Sequence, residues 1–245
     1  MKILCIGNSF SMDATRYLHQ IAHADAQELT VSDLYIGGCS LYRHYRNLCT
    51  GERAYAYYFN GQATPVKVSI PEALCMDEWD VVTLQQASLH SFEWDTFEPF
   101  LEKLAQKVRE LAPKAKLLIH ETWFYTTNCR LFPMVPFETS EEMFKAVHET
   151  YQKAAEAIQA DGVIPAGPAL FRLWQQKDAV GLESVHRDGQ HASFGAGRYM
   201  LALAWYVYLT GRKTADNTFR DFDEPITEEQ AALCRKIADE LTGEN

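Results

Sequence analysis

The sequence predicts an α/β fold in which helices cover both faces of a parallel sheet. Short apolar runs, each ended by glycine or polar residues, recur along the chain and are typical of buried strands. Between them lie segments whose apolar residues recur at helical spacing. Strands that alternate with helices form parallel sheets, because each crossover helix packs on a face of the sheet.

The five predicted sheet strands share an apolar core and a polar or glycine end, and they are residues 2–6, 29–36, 81–84, 116–120 and, more weakly, 162–165. Residues 55–59 and 66–70 flank Asn60-Gly61, a dipeptide that tolerates the positive φ angles of a tight turn. They predict a small β-hairpin inserted after the second strand.

Six segments show helical periodicity, and they are residues 13–28, 97–111, 140–160, 168–176, 192–210 and 227–241. Ser140 followed by two glutamates is a start signal for the longest of them. The chain contains no repeat and no Gly/Ser linker. With 245 residues, of which 47% are apolar, we expect residues 1–245 to form a single domain.

The net charge of the chain limits which classes of molecule it is expected to bind. The chain has 23 Lys and Arg against 33 Asp and Glu, a net charge of −10, and no basic run. Such a protein is repelled by phosphate backbones and by anionic membrane surfaces. We therefore expect a small-molecule substrate and neither nucleic acid nor a membrane as partner. No pattern in the sequence indicates an oligomeric state.

Cysteine usage and the apolar runs predict a cytoplasmic protein. The run that begins at Ile3 is too short for a secretory signal, and residues 200–209 are too few to span a bilayer. The six cysteines form no Cys-x-x-Cys pair and no zinc spacing, which favours free thiols. His120-Glu121 has no second His/Asp pair at suitable spacing, so no metal is expected.

Gly7-Asn8-Ser9-Phe10 directly follows the first predicted strand. Ligands of open α/β sheets bind at the carboxyl ends of the strands, where a helix N-terminus can stabilise an oxyanion. Ser9 is therefore a candidate nucleophile. Taken alone, most such junctions are a turn with a capping serine.

Asp188-Gly189-Gln190-His191 precedes the last large apolar helix. A serine hydroxyl needs a base to accept its proton, and a carboxylate on the other ring nitrogen orients that base. Asp188 lies three residues before His191 and can make this contact locally. The alternative is a helix cap beside a surface histidine. His186 is a second candidate base, but Glu183 lies three residues before it.

Three further candidates follow other predicted strands. The glycines at 37–38 let a backbone N–H approach a ligand, as an oxyanion hole requires, although they also suit a plain turn. Gln85 and Gln86 carry side-chain amides that could donate to the same oxyanion, with Gln86 the candidate donor and Gln85 a candidate substrate contact, although both also suit an ordinary polar loop. Trp123 either lines a substrate site or packs beneath the loop that follows it.

Together these segments resemble the SGNH (GDSL-like) hydrolase superfamily. Gly7-Asn8-Ser9-Phe10 is similar to its first block, Gly-Asp-Ser-Leu, Gly38 to its second-block glycine, and Asp188-Gly189-Gln190-His191 to its last block, Asp-x-x-His. The fuller wording, with Gly37-Gly38-Cys39-Ser40-Leu41 and Leu84-Gln85-Gln86-Ala87-Ser88, is similar to a bacterial subfamily known as a domain of unknown function.

The resemblance implies a three-layer αβα sandwich with a flavodoxin-like parallel sheet of about five strands. It implies Ser9 as nucleophile, His191 as base and Asp188 as its orienting acid, with the amides of Ser9 and Gly38 in the oxyanion hole. Gln86, or Gln85, stands where the third block normally supplies an oxyanion asparagine.

The function that follows from the resemblance is a serine ester hydrolase without a cofactor. By family analogy its substrate would carry a short acyl group such as acetyl on a carbohydrate or another small molecule. The altered third block motivates an alternative, an SGNH-fold binding protein with weak or no activity. The chain lacks a Gly-x-Gly-x-x-Gly or P-loop motif, which argues against a nucleotide-binding protein.

Overall fold

One mixed sheet forms the centre of the computed structural model, which describes residues 1–241. Within these residues it has seven strands, β1 (Lys2–Gly7), β2 (Thr30–Tyr35), β3 (Tyr55–Phe59), β4 (Gln62–Val68), β5 (Val81–Leu84), β6 (Lys116–His120) and β7 (Gly162–Ile164). Their order across the sheet is β4-β3-β2-β1-β5-β6-β7.

The five strands β2, β1, β5, β6 and β7 run parallel, in the flavodoxin-like order that the resemblance implies. Strand β1 lies at the centre, with Ile3 paired with Val31 on one side and Val81 on the other. Because helices cover both faces, this strand is buried from Ile3 to Gly7, which explains its continuous apolar sequence. The predicted α/β sandwich is confirmed.

The sheet has seven strands rather than about five, because the predicted hairpin joins it. Strand β3 pairs antiparallel with β2, and β4 pairs antiparallel with β3. The turn has positive φ at Asn60 (50°) and Gly61 (75°). The Asn60 side chain also accepts a 2.9 Å hydrogen bond from the Val31 N–H, which fastens the turn to β2.

Nine α-helices accompany the sheet in residues 1–241, namely α1 (Ser9–Thr15), α2 (Leu18–Ala24), α3 (Leu41–Thr50), α4 (Ile70–Cys75), α5 (Phe100–Leu111), α6 (Ser140–Ile158), α7 (Ala166–Gln176), α8 (Ala196–Thr210) and α9 (Glu228–Leu241). Helices α1, α2, α7, α8 and α9 pack together as one group, and α3, α4, α5 and α6 as another. Helix α8 is almost wholly buried, as its apolar sequence indicates.

Two helical predictions need correction. The single helix predicted over residues 13–28 is two short helices, of which the first begins at Ser9. Helix α6 begins as predicted, but its cap is Thr139. The Thr139 side chain accepts from the Glu142 N–H, and the Glu142 carboxylate accepts from the Thr139 N–H.

No helix in the described part of the chain has the length and apolar content needed to cross a membrane. All six cysteines carry free thiols, and four of these side chains are buried.

Candidate active site

Ser9 lies at the point where strand β1 passes into helix α1. The Asn8 side chain caps this helix by accepting a 3.0 Å hydrogen bond from the Phe10 N–H. Asn8 is itself buried and donates to the carbonyl of Cys39 at 3.1 Å, in the loop that follows β2. The cap therefore presents the half-buried Ser9 at the carboxyl edge of the sheet, beside the loop that contains Gly38.

The structure brings together Ser9, Asp188 and His191, the three residues that the family resemblance implies as a triad. The Ser9 Oγ lies 2.9 Å from the Nε2 of His191. The Nδ1 of the same ring lies 2.7 Å from the Oδ2 of Asp188. Although Ser9 and His191 are far apart in sequence, they form one chain of hydroxyl, imidazole and carboxylate, which is the arrangement that activates a serine nucleophile.

Asp188 is held by the backbone of its own loop. Its Oδ1 accepts the backbone N–H groups of Gln190 at 3.0 Å and of His191 at 2.7 Å. Partial burial acts to raise the pKa of Asp188, but the bonds from the His191 backbone and ring and from Gln190 outweigh it and lower that pKa. The carboxylate is therefore ionised at neutral pH and able to orient the imidazole.

Aromatic rings support the loop that carries His191. The Trp123 Nε1 donates a 2.7 Å bond to the Gln190 carbonyl, and the Trp123 ring stacks on Phe10 with centroids 4.1 Å apart. Phe10 in turn lies 5.7 Å from the His191 ring. The prediction that Trp123 binds substrate is wrong, because its side chain is fully buried; it packs beneath the loop. Phe10 adjoins Ser9, but no pattern in the sequence indicates this role.

Two backbone N–H groups are the candidate donors to an oxyanion. Among the described residues, neither the Ser9 N–H nor the Gly38 N–H donates to another protein group. Gly38 has a φ of 59°, and a Cβ built there meets nothing within 4 Å. The exposed Gly38 N–H is therefore open to a ligand approaching Ser9.

Gln86 is not an oxyanion donor, which corrects the prediction from the sequence. Its Nε2 donates to the carbonyl of Thr96 at 3.0 Å and to the Thr96 hydroxyl at 3.1 Å, so both amide hydrogens are used. Its Oε1 accepts the N–H groups of Leu41 at 2.9 Å and Ala87 at 2.8 Å. The fully buried amide therefore joins the start of α3 to the loop after β5.

Gln85 does not reach substrate either. It is buried, and its Nε2 donates to the Asn8 side chain at 2.8 Å. Its Oε1 accepts from the Nδ1 of His120, also at 2.8 Å. Burial lowers the pKa of His120 to about 3, so this ring is neutral. The predicted substrate contact is wrong, and Gln85 instead fixes the Asn8 cap beneath Ser9.

His186, the second candidate base, is buried away from this arrangement. Its ring packs edge-on against Phe124, with centroids 5.1 Å apart. Burial lowers the pKa of His186 to about 4. The hydrogen bond to Ser9 is made by His191 instead. Within residues 1–241, no three His, Cys, Asp or Glu side chains are grouped in a way that could hold a metal ion.

Comparison with known proteins gives one family and a shared fold. The family model described as Domain of unknown function (DUF4886) matches residues 2–240. A crystal structure of a DUF4886 family protein from Bacteroides uniformis is 30% identical, with a TM-score of 0.89 over 98% of this chain and 93% of that one. No protein of curated function matches the sequence.

More distant solved structures share the fold. A putative GDSL-like lipase from Parabacteroides merdae is 14% identical, with a TM-score of 0.56 over 86% of this chain and 95% of that one. An acetyl xylan esterase, AlAXEase, is 16% identical, with a TM-score of 0.55 over 85% of this chain and all of that one (100%). At these identities the likeness concerns the arrangement of helices and strands.

Proposed function

The chain belongs to the DUF4886 family, and we propose that it is a serine ester hydrolase of the SGNH type. The observation that carries the proposal is the pair of contacts made by His191, at 2.9 Å to the Ser9 hydroxyl and 2.7 Å to the Asp188 carboxylate. A turn with a capping serine needs neither contact. The cap is Asn8, which leaves the Ser9 hydroxyl free for chemistry.

The first half of the reaction forms an acyl-enzyme. The Ser9 Oγ attacks the ester carbonyl while the His191 Nε2 accepts the hydroxyl proton. The carbonyl oxygen becomes an oxyanion, to which the N–H groups of Ser9 and Gly38 donate. As the tetrahedral species collapses, its bond to the alcohol oxygen breaks, and His191 returns the proton to that oxygen. Asp188 stabilises the imidazolium between these steps.

The second half regenerates the serine. Water attacks the acyl-serine carbonyl, and His191 accepts a proton from that water. Collapse of the second tetrahedral species breaks the bond to the Ser9 Oγ, which regains a proton from His191, and the carboxylic acid departs. His191 carries each of these proton transfers, and the backbone N–H groups only stabilise the two oxyanions.

We propose a short acyl group such as acetyl, attached to a carbohydrate or another small alcohol. The acetyl xylan esterase that shares the fold supports this class by analogy alone. The half-buried Ser9 beside the exposed turn at 37–38 agrees with it, because a bulky polar alcohol can approach from solvent. The net charge of −10 favours a neutral substrate over an anionic one.

Substitution of the nucleophile tests the proposal. Ser9→Ala removes the attacking oxygen, so hydrolysis of 4-nitrophenyl acetate is expected to fall by at least about 10³-fold. His191→Ala is expected to behave similarly. His90→Ala is the matched control, because His90 is exposed and pairs with Glu93 on the surface. Full activity in folded Ser9→Ala, with fold checked by circular dichroism, would refute the assignment.

A second candidate function is a binding protein with weak activity. The observation that favours it is the commitment of the Gln86 amide to Thr96, which leaves two backbone donors for an oxyanion. Loss of one oxyanion donor typically costs about 2.7–4 kcal/mol of transition-state stabilisation. A fluorophosphonate probe distinguishes the candidates. Labelling that disappears in Ser9→Ala supports the hydrolase, and a folded protein that stays unlabelled supports the binding protein.

A further inference from the structure

A buried carboxylate lies one helical turn beyond Ser9. Asp13, on helix α1, has a side chain only 2% exposed and binds two guanidinium groups. The Nη1 of Arg187 lies 3.0 Å from its Oδ1 and 2.8 Å from its Oδ2. The Nε and Nη2 of Arg198 lie 2.9 Å and 2.8 Å from its Oδ1.

Arg187 is part of the segment that carries the proposed base. It directly precedes Asp188, and its N–H donates a 2.9 Å bond to the His191 carbonyl. Its Nη1, besides holding Asp13, donates to the carbonyl of Ala192. One side chain thus closes the loop of residues 187–192 on itself and fastens this loop to helix α1.

Arg198 binds the same carboxylate from the segment that follows this loop. It lies in the first turn of helix α8 and also binds the Asp223 carboxylate at 2.7 Å. The Phe194 ring is contacted by both guanidinium groups, with the Arg187 carbon 4.7 Å and the Arg198 carbon 4.6 Å from its centroid. Asp13 therefore pairs with two arginines, Arg187 at the start of the loop and Arg198 after its end.

We propose that Asp13 is a positioning residue that sets the distance between Ser9 and His191, an inference that rests on the proposed function. Asp13 and Ser9 lie on one helix, and Arg187 and His191 lie on one loop. The Asp13–Arg187 ion pair therefore spans the same gap as the reacting hydrogen bond. It acts on that bond without touching substrate.

Proton transfer from Ser9 to His191 gives a reason for such an ion pair. Proton transfer from Ser9 requires its oxygen to stay within hydrogen-bond reach of the His191 ring, and an error of about 1 Å can cost about 10²-fold in rate. A loop held to the rest of the molecule only by neutral contacts would sample wider separations. Two charged groups bound to one buried carboxylate restrict it, because charge-assisted bonds in a desolvated place are strong.

The test compares variants at both ends of the ion pair. Asp13→Asn removes the charge, and Arg187→Met removes the cation while it keeps an apolar stem. For both, kcat on 4-nitrophenyl acetate is expected to fall by about tenfold or more while KM changes by less than about twofold. Arg187→Lys is expected to recover most of the loss, because Nη1 alone makes all three side-chain bonds of Arg187 and an ammonium group has three donors.

Arg16→Met is the matched control for a structural role. It breaks the ion pair of Arg16 with Asp223 in the same network but leaves Asp13 and the loop bonded. Its unfolding temperature is expected to fall with kcat unchanged. All rates are measured well below each variant's unfolding temperature. If Asp13→Asn does not fold, the Arg187 variants still test the proposal, because Arg187 is partly exposed.

Wild-type kcat in folded Arg187→Met, or equal losses in Arg187→Met and Arg187→Lys, would overturn the positioning role while Ser9→Ala remained inactive. Full activity in Ser9→Ala would instead overturn the triad, and the positioning role with it. A kcat loss that Arg187→Lys reverses and Arg16→Met does not reproduce is the result that supports Asp13.

Discussion

Asp33 shows how one buried carboxyl couples stability to pH. It lies on strand β2, fully buried, and its Oδ1 has no hydrogen-bond partner in the described structure. The Thr15 hydroxyl lies 2.8 Å from the Ser11 carbonyl and 3.0 Å from the Asp33 Oδ2. One hydroxyl hydrogen cannot serve both oxygens, so a protonated Asp33 that donates to Thr15 satisfies the geometry. Burial raises the pKa of Asp33 to about 6.

We expect Asp33→Asn to be more stable than the wild type above pH 6. The folded protein holds this proton more tightly than the unfolded chain, whose carboxyl titrates near 3.8. The contribution of Asp33 to the free energy of unfolding therefore decreases as the pH rises from about 4 to about 6 and stays low above that. The neutral amide avoids this loss, worth about 1–3 kcal/mol.

Urea unfolding of both proteins at several pH values between 4 and 8 measures this effect. The difference between variant and wild type is expected to grow with pH up to about 6 and then to level off. A difference that does not vary with pH would mean that Asp33 is already neutral, or already satisfied as an anion, throughout this range.

Single residues also mark where sequence reasoning fails. Motif wording and position, after strand β1 for Ser9 and before helix α8 for Asp188 and His191, are enough to select three residues that the structure brings together. They were not enough for Gln85 and Gln86, which follow strand β5 as expected but point into the protein. The direction of a side chain depends on which buried N–H groups need an acceptor, and the groups that Gln86 satisfies at Leu41 and Ala87 are not evident from the sequence.

At the scale of elements, the hairpin shows that a tight turn can be predicted from its residues. Asn60-Gly61 predicts a tight turn, and both residues have positive φ. The sequence does not reveal that the Asn60 side chain binds the Val31 N–H, which aligns β3 with β2 and adds two strands to the sheet. Register across strands is a tertiary property.

The sequence does not predict helix α3, and the reason is physical. Its buried residues are Leu41, His44 and Asn47, so two of the three positions that face the core are polar. His44 bonds to the Tyr55 hydroxyl at 2.9 Å, and Asn47 bonds to the same hydroxyl at 3.3 Å. A search for apolar periodicity cannot find a helix whose inner face is hydrogen-bonded in this way. Longer apolar helices such as α5 and α8 were found, with ends shifted by a few residues.

The hairpin turn supplies a prediction at the same scale. A Cβ on Gly61 would lie 2.6 Å from the Arg16 carbonyl oxygen, and φ there is already 75°. Gly61→Ala is therefore expected to lower the free energy of unfolding by about 2–4 kcal/mol, from left-handed strain plus overlap with backbone. Gly51→Ala is the control, because φ is 65° but a Cβ there meets nothing within 4 Å.

The control is expected to lose only about 1–2 kcal/mol, the cost of the backbone conformation alone. Urea titrations of the two variants provide the comparison. Equal losses would show that the turn can move away from helix α1 and that the contact with Arg16 does not fix the hairpin in place.

At the scale of the whole molecule, the topology explains how distant segments form one site. Strand β1 is central, and helix α1 that follows it packs against helix α8, which comes directly after the loop of residues 187–192. The sequence could predict that the carboxyl ends of the parallel strands share one edge of the sheet. It could not predict the ionic connections between Asp13, Arg187 and Arg198, because these residues lie in segments that no periodic pattern relates.

The distribution of charge over the molecule leads to a last prediction. The net charge is −10. Arg187 and Arg198, on either side of residues 188–192, are paired with Asp13, and Arg198 also with Asp223, so these two arginines do not offset the negative field. An anionic ester is therefore repelled on approach, and salt relieves the repulsion because the Debye length falls to about 10 Å at about 0.1 M.

The test compares kcat/KM for neutral 4-nitrophenyl acetate with that for the 4-nitrophenyl monoester of succinic acid, which carries a carboxylate on its acyl group. Raising NaCl from about 10 mM to about 500 mM is expected to increase the value for the anionic ester several-fold and that for the neutral ester by less than about twofold. The neutral ester controls for effects of salt on the protein itself. A fall for the anionic ester would mean that unpaired positive charge at the site outweighs the acidic surface.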